Sequence, residues 1–144
     1  MMRMIAFEVP GCPVPKGRPR VTRSGHAFTP KRTRDYEAKV AMIAAQQMSM
    51  KRYGEPLDGE LTVNVIAYLP KPKKPKEKLN APLIRSPSNG DVDNYSKAAL
   101  DAIEGIVFDN DSQITALTVE KRYDKTPRLL VSVEEIQTRE ECRE

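Results

Sequence analysis

The stretch GDVDNYSKAALDAIEGIVFDNDSQI, Gly90 to Ile114, joins a D-x-D motif to an amphipathic helical pattern and then to a second acidic group. In extended chain, alternate side chains project to one side, so Asp91 and Asp93 converge if they lie just before a helix. Inside a helix they diverge by about 200°. The helix is therefore expected to run from about Asp93 to Glu104, stopped by Gly105. Lys97, Asp101 and Glu104 follow Asp93 on one polar face, while Tyr95, Ala98, Ala99, Ala102 and Ile103 line the buried side. Such a helix is about 16 Å long at ~1.5 Å per residue. The extended chain from Glu104 to Asp111 reaches up to about 23 Å. The expectation is that it runs back along the helix through Ile106, Val107 and Phe108 and sets Asp109 or Asp111 beside Asp93. Three crowded carboxylates repel one another unless a cation lies between them, and hard oxygen donors suit Mg²⁺, with Mn²⁺ as a substitute. Such an ion activates water and stabilises charge on a phosphodiester.

Outward from this stretch, Ile5, Phe7 and Val9 alternate with Ala6 and Glu8 as a first strand ended by Pro10-Gly11. Thr29 and Pro30 form an N-cap and N1 pair for a helix over about 30–52, with the stripe Tyr36, Val40, Ile43, Ala44 facing a sheet and Gly54 as the stop. Met48 and Met50 read as core filler. Leu61 to Leu69 alternates as a second strand, and Gln113–Tyr123 and Arg128–Ile136 give two more around a turn at Asp124 to Pro127. The pattern predicts an α+β fold in a single domain over residues 1–144, a mixed β-sheet with two principal helices.

The charge is unevenly spread. The whole chain carries a net +4, yet residues 1–54 hold 11 basic and 3 acidic side chains (+8), whereas residues 91–144 hold 7 and 13 (−6). This suggests a polyanion-binding surface joined to a carboxylate-rich site. From Pro13 to Arg34 there are seven Lys and Arg and no carboxylate, and Ser24-Gly25 closes a short hairpin within that segment. Residues 70–90, with five lysines and five prolines, form a second basic loop, expected to become ordered when DNA binds. The polar end Thr138–Glu144 is expected to fray. One histidine, His26, and two cysteines, Cys12 and Cys142, exclude a histidine-pair or cysteine-rich zinc site, and free thiols fit a reduced cytoplasmic protein. No apolar run approaches the ~20 residues that span a bilayer, so no membrane partner is expected.

The run Asp109 to Glu120 places acids at positions 1, 3 and 12 of a calcium-binding loop, but Ile114 stands where the tight turn needs glycine, and its second half alternates like a strand. A blander reading of Asp91 and Asp93 makes them helix-capping and surface-pair groups.

The quoted stretch resembles the signature of RusA-type Holliday junction resolvases, small homodimeric Mg²⁺-dependent endonucleases common in phages and prophages. Lys16–Arg20 (KGRPR) and Thr29–Glu37 (TPKRTRDYE) resemble the phage branch of that family. The resemblance implies a RusA-like fold and an active site of Asp91, Asp93, Lys97 and Asp111, with the three acids as metal ligands and the role of Asp109 open. It further implies a homodimer acting on a four-way DNA junction in a bacterial or phage-infected cell, at the nucleoid, in recombination and repair. Lys16, Arg18, Arg20, Arg23, Lys31 and Arg32, with Lys71, Lys73, Lys74 and Lys76, would neutralise DNA phosphates. Two alternatives share these residues: a metal nuclease preferring flaps or forks, and a non-catalytic branched-DNA binder.

Overall fold

Alternation of apolar residues along three of the four sheet strands builds one buried sheet face, and two helices cover it. In the computed structural model, which describes residues 2–71 and 90–136, β1 (Met4–Pro10), β4 (Glu60–Leu69), β5 (Ile114–Tyr123) and β6 (Arg128–Ile136) form a sheet of order β1-β6-β4-β5. A separate ribbon pairs β2 (Arg20–Val21) with β3 (Ala27–Phe28). β6 runs antiparallel to both β1 and β4, while β5 is parallel to β4. The sheet is therefore mixed, and with the helices α1 (Lys31–Met50) and α2 (Val92–Ile103) the fold is α+β as expected.

Register explains the core. Val131 opposes Phe7 on one side and Val65 on the other, and Val133 opposes Ile5 and Val63. All six are buried, as are Leu61, Ala67, Leu69 and Leu129 on the same face. Each fully buried aliphatic side chain contributes about 1.5–3 kcal/mol relative to exposure, so this layer and the helices it seats outweigh helix propensity alone. Tyr36, Val40, Ala44 and Met48 are the buried stripe of α1, and Tyr95, Ala98, Ala99, Ala102 and Ile103 that of α2. α1 packs on β1 and α2, and α2 packs on β4 and β5, closing a β4-α2-β5 crossover. The residues from Asp124 to Pro127 do turn the chain, but they carry it past the end of β4, so β6 inserts between β1 and β4 instead of pairing with β5. Asp124 is fixed there by its N–H donating to the Leu69 carbonyl at 2.9 Å.

Several boundaries differ from expectation. α1 has Pro30 at its N-cap position with no side-chain cap, so Thr29 does not serve as one. The helix stops before Gly54. Arg52 takes a φ of 59°, its N–H donates to the Ser49 carbonyl, and the Tyr53 N–H donates to that of Met48. This is the double hydrogen bond of a Schellman ending, with a non-glycine residue in the left-handed position. Met48 fills the core beside it, but Met50, two residues on in α1 and so about 200° round the helix from Met48, is 76% exposed. α2 begins at Val92, one residue earlier than expected, with Asp91 at its N-cap. Lys73, Lys74, Lys76, Cys142 and the polar tail lie outside the described residues, as does most of the 70–90 segment. Among the described residues no helix is long and apolar enough to cross a membrane.

Candidate active site

The D-x-D motif sits where three segments meet. Gly90 packs against Pro15 so closely that an added Cβ would lie 2.5 Å from the Pro15 Cβ, which only glycine tolerates. Its N–H donates to the Tyr95 hydroxyl at 3.2 Å, and its carbonyl accepts from the Lys121 ammonium on β5, also at 3.2 Å. Burial holds the Tyr95 phenol above its usual pKa, so it stays neutral and available for that contact. The peptide entering Asp91 is thus held by the N-terminal arm, by α2 and by β5 together.

Asp91 and Asp93 are both exposed at this end of α2. The Asp91 side chain makes no capping hydrogen bond, although its position is the one where a capping aspartate would do so. The Asp91 carbonyl accepts from the Asn94 N–H at 3.0 Å, and the Asp93 carbonyl from the Ser96 hydroxyl at 2.7 Å, so the backbone is fixed while the carboxylates face outward. Lys97 stands 4.0 Å from Asp93 on the same face, both side chains more than 60% exposed. A surface pair of this kind is worth a few tenths of a kcal/mol, about 0.3–0.5, which leaves both groups free to engage a ligand.

Asp111 is elsewhere. After α2, Gly105 adopts a φ of 84°, and its N–H donates to the Phe108 carbonyl at 2.7 Å. This tight turn buries Val107 and Phe108 and anchors Leu57, whose N–H donates to the Val107 carbonyl at 2.7 Å. The Asp111 N–H donates to Glu104 Oε1 at 3.3 Å, so Asp111 stays at the C-terminal end of the helix. The expectation that the chain returns along α2 to set Asp109 or Asp111 beside Asp93 is therefore corrected: burial of Val107 and Phe108 holds it back. Helix rise alone separates Asp93 from this end by about 16 Å. Strand rise agrees, since Lys121, which reaches Gly90, lies about 23 Å along β5 from Ile114. Among the described residues no three acidic, histidine or cysteine side chains cluster closely enough to hold a metal ion.

The loop around Asp111 is nonetheless rigidly built. Gln113 accepts at Oε1 from the N–H groups of Asp109 and Asn110, both at 3.0 Å, and donates from Nε2 to the carbonyls of Leu57 at 2.9 Å and Gly59 at 3.1 Å. Asn110 Oδ1 accepts from the Ser112 N–H at 2.8 Å, completing a capping box over Asp111–Gln113. The N-x-x-Q spacing carries this capping signal in the sequence. Asp109 and Asp111 are exposed on that frame.

The basic arm crosses the N-terminal end of α2. The Lys16 N–H donates to the Asn94 carbonyl at 2.8 Å, and Gly17 donates to the buried Thr33 hydroxyl at 3.1 Å. The Lys16 ammonium lies between Glu37 at 2.5 Å and Asp101 at 3.0 Å. Partial burial works to lower its pKa, but the bonds to Glu37 and Asp101 outweigh this and hold it above the usual lysine value. Lys16 therefore ties the arm to both helices, a partnership that the sequence pattern alone does not display. Arg18, Arg20, Arg23, Lys31, Arg32 and Lys71 are exposed.

A matching family model covers residues 10–134 and is described as Endodeoxyribonuclease RusA. The chain belongs to this endodeoxyribonuclease family, and its mixed sheet with two helices agrees with a RusA-like α+β fold. It is similar to the "Uncharacterized protein YqaN" of Bacillus subtilis (strain 168), 35% identical over 144 residues that cover 94% of this chain and 99% of that protein. Family membership brings endodeoxyribonuclease chemistry.

Proposed function

We propose that this chain is a Mg²⁺-dependent crossover junction endodeoxyribonuclease that resolves Holliday junctions by paired nicking, acting as a homodimer in the cytoplasm at the nucleoid. The observation that carries this reading is the pair Asp91 and Asp93, exposed at a backbone held from three sides, with the Asp91 carboxylate free of capping duty and a basic arm alongside. A non-catalytic binder gains nothing from unsatisfied carboxylates facing a polyanion. Hard carboxylate donors fit Mg²⁺, with Mn²⁺ as substitute, and such an ion supplies Lewis acidity and an activated water when bound.

Two carboxylates on one exposed helix end are a sparse donor set, and Asp111 stands at the other end of α2. We infer that a complete site takes Asp91, Asp93 and Lys97 from one protomer and Asp111 from its partner, and that two-fold symmetry makes two such sites. In that arrangement the acids hold the ion, and Lys97 carries positive charge to the scissile phosphate. Arg18, Arg20, Arg23, Lys31, Arg32 and Lys71 neutralise backbone phosphates, with Lys73, Lys74 and Lys76 proposed to neutralise others.

Cleavage of an end-labelled four-way junction, beside linear duplex and a flap, tests the reading. Symmetric nicks in Mg²⁺ that vanish with EDTA and in Asp93→Asn are expected. Junction binding without nicking would leave the architectural binder, and preferential flap cutting would replace the junction as substrate.

A further inference from the structure

The arm that ties down Lys16 leads directly into the β2–β3 ribbon, and that ribbon displays an unusual surface. Arg20 and Phe28 are directly opposed in its register, so their side chains lie on the same face. Phe28 is 45% exposed and Val21, on the other face, 69% exposed. An aromatic ring in a segment with no carboxylate from Pro13 to Arg34 suits a polyanion better than an apolar protein partner. The ribbon is well defined for its size. Gly25 turns it at a φ of 88° with its N–H on the Thr22 carbonyl at 3.0 Å, and Thr22 donates to the His26 carbonyl at 2.9 Å.

Beside the ribbon lies a groove of about 430 Å³, walled by Pro15, Pro19 and Pro30 and rimmed by Arg18, Arg20 and Arg32. Apolar walls with cationic edges match a nucleotide, whose base is apolar on its faces and whose phosphate is anionic. Fully paired duplex offers no such group, because its bases are stacked on one another. A branch point does, since its terminal pairs are the most readily unstacked.

We propose that Phe28, flanked by Arg20, is a stacking platform for a base unstacked at the branch point, and that this contact makes the protein prefer a junction over a duplex. The inference rests on the junction-nuclease reading above. Lys16, hydrogen-bonded beside the D-x-D, is four residues from Arg20, at most about 14 Å along the chain, and Phe28 lies about 5 Å across the ribbon from Arg20, so the platform is within about 20 Å of that anchor, or about six nucleotide steps at 3.4 Å. The cut phosphate then lies within about six nucleotides of the branch.

The test uses junctions carrying 2-aminopurine either at the branch or within an arm, titrated in EDTA so that nothing is cleaved, with the whole protein and with Phe28→Ala and Phe28→Leu. Wild type is expected to raise fluorescence at the branch and not in the arm. Phe28→Ala should lose about five- to 150-fold in junction affinity, the range for removing one stacked aromatic, while duplex affinity changes less than twofold. Phe28→Leu, which keeps apolar bulk without a π-face, should lose most of the fluorescence rise at an unchanged melting temperature. If the variants keep both the rise and the junction preference, or lose duplex affinity in equal measure, the platform is overturned while the junction reading stands. If wild type binds junction and duplex alike, the junction reading fails and the proposal with it.

Discussion

The ammonium of Lys121 donates a hydrogen bond to the carbonyl of Gly90, 31 residues earlier in the chain, and thereby fastens the D-x-D motif to β5. A lysine in this place acts through the backbone, since its contact is with the peptide and not with either carboxylate. It also brings positive charge to the motif proposed to hold metal and phosphate.

Replacing Lys121 by Met, which keeps the aliphatic stem, should lower the rate of junction nicking about tenfold or more, a loss of roughly 1.4 kcal/mol in transition-state stabilisation. Junction affinity in EDTA should change less than threefold. A shift of the Mg²⁺ concentration for half-maximal nicking to higher values, partly restored in Lys121→Arg, would mark a positioning role. Wild-type metal dependence in Lys121→Met would refute it.

Lys16 and Arg32 should separate structure from DNA contact. Lys16→Met leaves Glu37 and Asp101 without their shared cation and should cost about 2 kcal/mol of stability, the scale of hydrogen bonds to charged groups. The slope of log affinity against log salt should stay at its wild-type value. Arg32→Ala should leave the melting temperature nearly unchanged and reduce that slope by about 0.9, one phosphate contact. Denaturant melts and salt titrations of duplex binding measure both.

At the opposite end of the sheet, Glu135 Oε2 accepts from Arg3 at 3.1 Å and from the N–H groups of Asp58 and Gly59 at 3.2 and 3.3 Å. Burial acts to raise its pKa, but Arg3 and the two N–H donors outweigh it and hold the carboxyl below the usual range. A depressed folded value means that the stabilisation is complete above the unfolded pKa and is lost as pH falls through the folded one. Stability measured by urea melts should therefore decline between the ordinary glutamate range and more acidic pH. Glu135→Gln should flatten that decline and cost about 1–3 kcal/mol at neutral pH.

The period of the apolar residues made most of the fold legible, because burial on one sheet face or one helix stripe leaves a direct pattern. Val63, Val65, Val131 and Val133 alternate and are buried as that pattern requires. Strand order was not legible: nothing local distinguishes a turn at Asp124–Pro127 that closes a hairpin from one that passes over β4. Within the site, Lys97 meets Asp93 one turn along α2 as helical spacing requires, whereas the helix starts at Val92 and so takes in Asp93, which the motif reading sets just before it. The placement of Asp111 depends on how Val107 and Phe108 are buried against Leu57, a tertiary choice that chain length permits but does not determine. Lys16 was hidden for a similar reason, since Glu37 and Asp101 meet it only after α1 and α2 have packed.

Mixing two inactive variants tests most directly whether this is a metal nuclease whose site is shared by two protomers. Asp93→Asn and Asp111→Asn should each fail to nick a four-way junction in Mg²⁺. If Asp111 completes the partner's site, a mixed dimer holds one site with both substitutions and one with neither. The account predicts that co-refolding the two variants restores EDTA-sensitive nicking, confined to one strand per dimer and not paired. A mixture that stays inactive while wild type cuts, with mixed dimers shown to form, would contradict it.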